Sequence, residues 1–243
     1  MAAAMAVTSP RQVTSGYFRN NLYVLLGMNL LVSLVAFSGA VESSLLPSWP
    51  ATAGAVLCYF GAACWLYEKP RAGIATLVSL ALLDLVGALY ATPSAIGDTA
   101  KPVLWLLLGQ ADTIAAGALL GVTMAAMLLG HWYLNAPGMR MQPLIQLTLL
   151  LGAAVALRII VSGVGLWGQW SEGAPLETAQ QIMLAMRWLA GMGGTAILVV
   201  MTYSTLKIPN TQAATGMLYV AVITTFLGEL VGQLLTSGRL YPL

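Results

Sequence analysis

Residues 143–168 read PLIQLTLLLGAAVALRIIVSGVGLWG, a run in which Arg158 is the only charged side chain. About 20 mostly apolar residues are enough to cross the hydrocarbon core of a bilayer as a helix, so this stretch predicts a transmembrane helix. A charge at mid-bilayer costs roughly 2.5–3.5 kcal/mol on insertion scales. Arg158 must therefore face the interior of a helical bundle or a wet cavity and find a partner there.

The rest of the chain is similarly poor in charge. Of 243 residues, 59% are hydrophobic and 7% are charged, and the mean hydropathy is +0.84. A soluble domain carries about 25% charged residues, so we expect an all-α polytopic membrane protein whose main partner is the lipid bilayer. The formal net charge of +2 is too small to indicate nucleic-acid binding.

Seven stretches are long and apolar enough to cross the bilayer, and we expect them to form one bundle. They cover roughly 21–41, 51–67, 72–91, 108–134, 143–168, 179–205 and 211–236. Residues 21–243 thus form a single transmembrane domain, preceded by a cytoplasmic segment at 1–20. Residues 103–108 either lengthen the fourth helix or form a short interfacial helix after Pro102.

The charges between the spans predict the orientation. The amino-terminal segment and alternate loops hold most of the basic residues: Arg11, Arg19, Lys69, Arg71, Arg140 and Lys207. One acidic residue, Glu68, lies on the same side. The opposite loops and the tail hold Glu42, Asp98, Lys101, Glu172, Glu177 and Arg239. The positive-inside rule therefore predicts that the amino terminus lies in the cytoplasm and the carboxyl terminus outside. We expect the protein to lie in the inner (cytoplasmic) membrane of a cell. Aromatic residues near the span ends predict an interfacial belt: Trp49, Tyr67, Tyr90, Trp132, Tyr133, Trp167, Trp170 and Tyr203.

Five ionisable side chains fall inside the predicted spans: Asp84, Asp112, Arg158, Arg187 and Glu229. With a helical rise of about 1.5 Å per residue and the orientation above, all five lie in the outer half of the membrane. Gln233 lies one turn beyond Glu229 on the same helix face, because residues i and i+4 are neighbours. These six residues form the candidate site for ligand binding or proton transfer, and no residue is predicted to be catalytic.

Two interpretations of this cluster stay open. In the structural one, ion pairs such as Arg158–Glu229 and Arg187–Asp112 fix the order of the helices. In the functional one, a polar pocket open to the outer leaflet binds a polar head group or passes protons. Three acids against two arginines leave a surplus acid, which in a desolvated site is able to carry a proton.

His131 is the only histidine, at the inner end of the fourth predicted helix. It is either an interfacial side chain beside the aromatic belt or an axial ligand to haem or a chlorin, although one chain with one histidine cannot supply a bis-histidine haem. Cys58 and Cys64 lie about 240° apart around their helix, so they cannot form a disulfide with each other. The sequence otherwise predicts no metal site.

Gly117-x-x-x-Gly121 and Gly228-x-x-x-Gly232 are small-residue motifs that let membrane helices approach closely. The second motif flanks Glu229 and predicts that this carboxylate lies near a neighbouring helix. The last span has no lysine for a retinal Schiff base, and the chain has no H-E-x-x-H, G-x-S-x-G or Walker motif. We therefore expect no catalysis by this chain alone.

The run GELVGQ at 228–233 in the last span, together with apolar helices joined by short loops, resembles the polytopic membrane anchor subunits of respiratory oxidoreductases, of the dimethyl sulfoxide reductase anchor and NrfD type. The chain departs from that pattern because the family usually has more than seven spans. The resemblance implies a non-catalytic integral membrane subunit of a respiratory or photosynthetic electron-transfer complex, whose other subunits carry the redox centres.

A quinone pocket in the outer half of the bilayer would suit the clustered charges. Arg158 or Arg187 would donate hydrogen bonds to quinone carbonyl oxygens, and Glu229 or Asp112 would accept a proton as quinol is oxidised. The same charges also suit a transporter or a lipid-handling protein that binds a small anion or a head group, or a purely structural subunit. A quinone is a candidate cofactor, and haem or chlorin is not expected through this chain alone.

Overall fold

A computed structural model describes residues 1–39, 48–91, 103–136, 138–171, 176–208 and 210–236, with side chains from residue 106 onward in the third of these ranges. Every regular element in these ranges is a helix. The elements are α1 (Ala2–Val7), α2 (Ser15–Phe37), α3 (Ser48–Leu66), α4 (Pro70–Ala91), α5 (Val103–Asn135), α6 (Gln142–Ser171), α7 (Thr178–Met186), a π-helix (Arg187–Gly193), α8 (Gly194–Lys207) and α9 (Thr211–Thr236).

The described residues contain seven helices that are long and apolar enough to cross a membrane, which confirms the predicted all-α, multi-pass class. Six of them are single α-helices, and the remaining one is the continuous rod Thr178–Lys207, in which the π-helix joins α7 to α8. The predicted spans match these helices to within a few residues at most ends. Helix α5 begins at Val103, so the ambiguous residues 103–108 lengthen the fourth span.

The start of the chain contains helical structure ahead of the first predicted span. Residues 1–20 were expected to be a cytoplasmic segment, and within them Ala2–Val7 forms α1 and α2 begins at Ser15. Helix α1 packs against α4 and buries Ala2, Ala4 and Met5. The physical reason is that the first seven residues are all apolar, so they gain by contact with a helix surface.

Exposed apolar side chains cover the outside of the long helices, as expected for surfaces that face lipid. Five of the predicted belt aromatics are strongly exposed near helix ends: Trp49, Tyr67, Tyr90, Trp167 and Trp170. Tyr133 is an exception because it is buried and its hydroxyl donates to the backbone carbonyl of Arg140. Several charges used to predict the orientation lie outside the described residues: Glu42, Asp98, Lys101, Glu172 and Arg239.

The chain divides into two compact units, Met1–Ser94 and Ala95–Leu243. In the first unit, α3 packs against both α2 and α4, and α1 covers part of α4. The Phe18 and Trp65 rings stack with centroids 4.0 Å apart. A methyl group added to Gly73 would come within 2.5 Å of the Trp65 ring, so glycine is needed at this crossing.

The second unit is a closed four-helix bundle. Helix α5 packs against α6 and α9, while α8 packs against α6 and α9. The π-helix also lies against α9. Counting Thr178–Lys207 as one helix, these four helices surround an interior into which side chains from all of them project. Most of the predicted site residues lie in this interior.

Candidate functional site

Arg158 of α6 is the centre of a buried ion-pair network in the second unit. Its side chain is 1% exposed. Its Nε donates to Oε1 of Glu229 and its Nη2 to Oε2 of the same carboxylate, each over 2.7 Å. Its Nη1 donates to Oδ1 of Asp112. One guanidinium on α6 thus ties α5 and α9 together through charge-assisted hydrogen bonds.

Of the two ion pairs predicted from the sequence, one is confirmed and the other is wrong. Arg158 pairs with Glu229 as expected, but Asp112 pairs with Arg158 and not with Arg187. The geometry explains this because a guanidinium has five N–H donors in a fixed fork and can serve two carboxylates at once. Helix α5 packs beside α6, and Arg158 also reaches across the bundle interior to Glu229 on α9, so one guanidinium contacts both acids.

Arg187, the first residue of the π-helix, is equally buried at 1% exposure but poorly paired. Its Nη2 donates to the Ser162 hydroxyl over 2.9 Å. Its Nε and Nη1 are buried with no partner among the described residues. Burying an N–H donor without an acceptor costs free energy, so this arrangement needs an explanation other than fold stability.

Arg187 belongs to the same interior region as the network around Arg158. Ser162 lies one turn beyond Arg158 on the same face of α6. Arg158, Glu229 and Asp112 are all close enough to interact electrostatically with Arg187. Asp112 lies in the first half of α5 and Arg187 in the first half of the helix Thr178–Lys207. Arg158 and Glu229 lie in the second halves of α6 and α9. The structure therefore brings four of the predicted site residues together at one depth of this bundle.

Glycines set the distance between the π-helix and α9. An ideal Cβ on Gly191 would come within 2.7 Å of the Cα of Gly228, and one on Gly228 would come equally close to Gly191. One turn further along α9, a Cβ on Gly232 would be 2.8 Å from Cζ of Arg187. The Gly228/Gly232 motif thus lets α9 approach a neighbouring helix closely, as the sequence predicted. It also makes room for the Arg187 guanidinium. Gly117, by contrast, has no neighbour within 4 Å among the described residues.

The buried charges in the described part of the second unit balance. Two arginines face two acids, so the expected surplus acid does not arise there. The third acid, Asp84, belongs to α4 in the first unit. The bundle interior thus holds an arginine with two unused donor atoms and two carboxylates that are both bound by Arg158.

Asp84 has its own polar surroundings within the first unit. The Asn29 side chain forms a hydrogen bond with it. An ideal Cβ on Gly54 would lie 2.5 Å from Oδ1 of Asn29 and 3.3 Å from Oδ1 of Asp84. Burial lowers the pKa of the Met1 amino group below its usual value of 8.0, and the negative charge of Asp84 opposes this shift. Asp84 is thus half-buried and paired with groups of its own unit.

The other two predicted positions lie outside this network. Gln233 is exposed, because Gly232 and not Gln233 faces the bundle interior beyond Glu229. His131 is also exposed, and its Nδ1 lies 3.0 Å from the hydroxyl of Tyr219. In the described ranges, no group of three or more histidine, cysteine, aspartate or glutamate residues is placed to hold a metal ion.

Sequence reasoning missed two residues beside Arg187. Ser162 accepts its one hydrogen bond. The indole Nε1 of Trp188 is buried without a partner among the described residues, and the ring comes within 3.8 Å of an ideal Cβ on Gly163. The spacing of four between Arg158 and Ser162 was a usable signal, because it puts both on one face of a helix. No comparable signal marks Trp188, whose environment depends on the π-helix.

Comparison with known proteins yields no match among family models, curated proteins or solved structures.

Proposed function

We propose that this chain is a non-catalytic integral membrane subunit of an electron-transfer complex that binds a quinone inside its second unit. The ligand would sit beside Arg187, and the complex would lie in the cytoplasmic (inner) membrane of a cell. A quinone exchanges electrons with a redox centre, so the proposal includes partner subunits that carry one. This agrees with what the resemblance of residues 228–233 to respiratory membrane anchors implies.

The observation that carries the proposal is the state of the Arg187 guanidinium. It is 1% exposed, and two of its donor atoms have no acceptor among the described residues. Buried polar groups in native proteins are almost always hydrogen-bonded, and an exception calls for a role such as ligand binding. A ligand oxygen beside Arg187 would supply the missing acceptor.

Charge favours an uncharged ligand over an anion. Arg158 and Arg187 are balanced by Asp112 and Glu229 within the same bundle. A bound phosphate or carboxylate would leave a net negative charge in an apolar environment, which is costly. A quinone has carbonyl oxygens to accept hydrogen bonds and no formal charge, so it would complete the site without that cost.

The proposal gives the two carboxylates a different role from the one the sequence suggested. Both are held by Arg158, so protonating either one would break a buried ion pair. Their role in the proposal is to hold Arg158 and the helices around Arg187 in place. Proton exchange with the ligand would then use other groups, such as those of a partner subunit.

The first test is the quinone content of the protein purified from its native membrane in mild detergent. We expect wild-type protein to retain quinone and Arg187→Gln to lose most of it, because glutamine cannot reproduce the charged donors. Arg140→Gln is a matched control, since Arg140 is exposed in the same unit. Solvent extraction and chromatography of the preparations would measure the content directly.

Two results would contradict the proposal. One is an Arg187→Gln protein that folds normally and retains as much quinone as wild type. The other is a quinone-free wild-type protein that purifies alone and transports an anion or a lipid in proteoliposomes. The second outcome would favour the transporter interpretation.

A further inference from the structure

The start of the chain is buried against the rest of the first unit. Helix α1 packs against α4, and Ala2, Ala4 and Met5 are each at most 3% exposed. Val13, which follows α1, is buried as well. Val7 is 66% exposed, so α1 has one face toward the unit and one face away from it.

The polar contacts of Asp84 mark a depth within this unit. Asp84 follows Pro70, the first residue of α4, by 14 positions, and Asn29 follows Ser15, the first residue of α2, by the same number. At a rise of about 1.5 Å per residue, both side chains lie about 21 Å from the ends at which their helices begin. The two side chains share a hydrogen bond, so α2 and α4 begin at the same end of the unit. Their contact lies well inside a hydrocarbon core about 30 Å thick.

The amino-terminal end of α1 lies near that depth. The Met1 amino group is close enough to Asp84 to interact with it electrostatically. Helix Ala2–Val7 is about 9 Å long, and residues 8–14 span up to about 23 Å when extended, so together they can cover the distance back to the start of α2. Residues 1–14, which we call the re-entrant segment, therefore run from the depth of Asp84 to the end of the unit at which α2 begins.

Apolar packing holds α1 in this position. A helix of six residues is too short to be stable in isolation, and the side chains that α1 buries are those of Ala2, Ala4 and Met5. The Thr8 hydroxyl donates to the carbonyl of Ala4, which is a bond within the segment itself. Opening of an element held by few apolar contacts costs less free energy than unfolding of the whole unit. Helix α1 can therefore leave α4 while α2, α3 and α4 stay packed.

We infer that the re-entrant segment is a lid over Asp84. With α1 packed on α4, the segment lies between the Asp84 carboxyl and water at the end of the unit where α2 begins. When α1 leaves, water reaches the carboxyl, which then gives a proton to water or takes one from it. Membrane-embedded acids commonly form part of proton relays.

The groups around Asp84 come from each element packed near it. They are the Met1 amino group before α1, the Asn29 amide of α2 and the Cys58 thiol of α3. Water that enters beside Asp84 would meet these groups as well. The inference goes beyond the proposed function because it concerns the first unit and does not involve Arg187.

The first experiment measures the position of the segment by cysteine labelling. The full chain, with Cys58→Ala and Cys64→Ala, is placed in lipid nanodiscs and treated with a charged, water-soluble maleimide. Arg11→Cys, at an exposed position, should react at least about tenfold faster than Ala4→Cys, which lies on the buried face of α1. Equal rates would show that α1 lies in water and would overturn the inference.

The second experiment tests opening of the lid, with Asp84→Cys as the reporter in the same background. Met5→Asp places a charge on the buried face of α1, so it should raise the labelling rate of Asp84→Cys several-fold. Val7→Asp is the matched control, because it adds the same charge on the exposed face of α1 and should leave that rate unchanged. Equal rates with the two substitutions would show that α1 does not cover Asp84.

A buried position on α3 distinguishes opening of the lid from unfolding. Ala62 is 2% exposed, and α3 packs against both α2 and α4. Ala62→Cys should stay protected in the Met5→Asp protein. Labelling of Ala62→Cys together with Asp84→Cys would show that α1 is a fixed part of the packed unit, which would also overturn the inference. None of these results depends on quinone binding, so the proposed function is tested separately.

Discussion

Arg158 and Arg187 are chemically identical and equally buried, yet their surroundings give them opposite energetic roles. Arg158 uses its donors on two carboxylates, so the charge and the hydrogen bonds of the guanidinium are both satisfied. Arg187 has one neutral partner and two unused donor atoms. Removing a well-paired buried ion leaves its partners uncompensated, whereas removing a poorly paired one relieves a desolvation cost.

This contrast predicts different effects of one substitution at two sites. Arg158→Met should lower the free energy of unfolding by about 3 kcal/mol, because two buried carboxylates lose their counter-ion. Arg187→Met should lower it by clearly less than Arg158→Met, because it breaks no ion pair and removes two unpaired donor atoms, although it leaves the interior with one net negative charge. Unfolding by SDS titration in mixed micelles would measure both. A loss at Arg187→Met as large as that at Arg158→Met would show that Arg187 is a structural residue.

At the scale of the elements, the approach of the π-helix to α9 decides where Arg187 and Glu229 lie. Gly191 and Gly228 bring the two backbones together without an intervening side chain. The π-helix, which is rare and frequently marks functional sites, begins at Arg187 and includes Trp188. Thr195, one turn after Gly191, donates to its carbonyl and lies 2.9 Å from the Thr224 hydroxyl of α9.

Gly228→Ala tests this close approach. The added methyl group would meet the backbone of Gly191 at 2.7 Å, so the helices must separate. We expect a loss of about 1–3 kcal/mol in unfolding free energy, together with loss of bound quinone.

Gly216→Ala is the control on the same helix, because an ideal Cβ there has no neighbour within 4 Å among the described residues. It should stabilise α9 by up to about 1 kcal/mol, since alanine loses less backbone entropy than glycine. Equal effects of the two substitutions would show that the Gly191–Gly228 crossing does not limit the packing.

At the scale of the whole molecule, seven helices among the described residues have the length and apolarity of membrane spans. If all seven cross the membrane and no other segment does, the two ends of the chain lie on opposite sides. The distribution of basic residues predicts that the amino-terminal end lies in the cytoplasm.

Reporter fusions in a bacterial host would measure this topology. Green fluorescent protein fused to the amino-terminal end should fluoresce, because it folds in the cytoplasm. Alkaline phosphatase fused to the carboxyl-terminal end should be active, because it requires the oxidising periplasm. Fluorescence without phosphatase activity, or phosphatase activity without fluorescence, would put both ends on one side and contradict seven crossings. With the two reporters exchanged, signals from both fusions would indicate the reverse orientation.

Local sequence was enough to predict the helical, membrane-spanning class of this protein, the approximate limits of its long helices and most of the residues that carry buried charge. These properties depend on local apolarity and on the cost of charge in lipid, both of which are readable along the chain. It also predicted the Arg158–Glu229 pair from residue type and depth. It could not assign Asp112 to Arg158, place Gln233 outside the interior, or predict the burial of α1.

Those features depend on how the helices rotate and approach one another in the folded bundle. Arg187, at the start of the π-helix, reaches Ser162 of α6 while the two nearby acids are held by Arg158, so two of its donor atoms stay unpaired. Pairing between side chains on different helices is set by packing across the bundle. No periodicity within one helix records it.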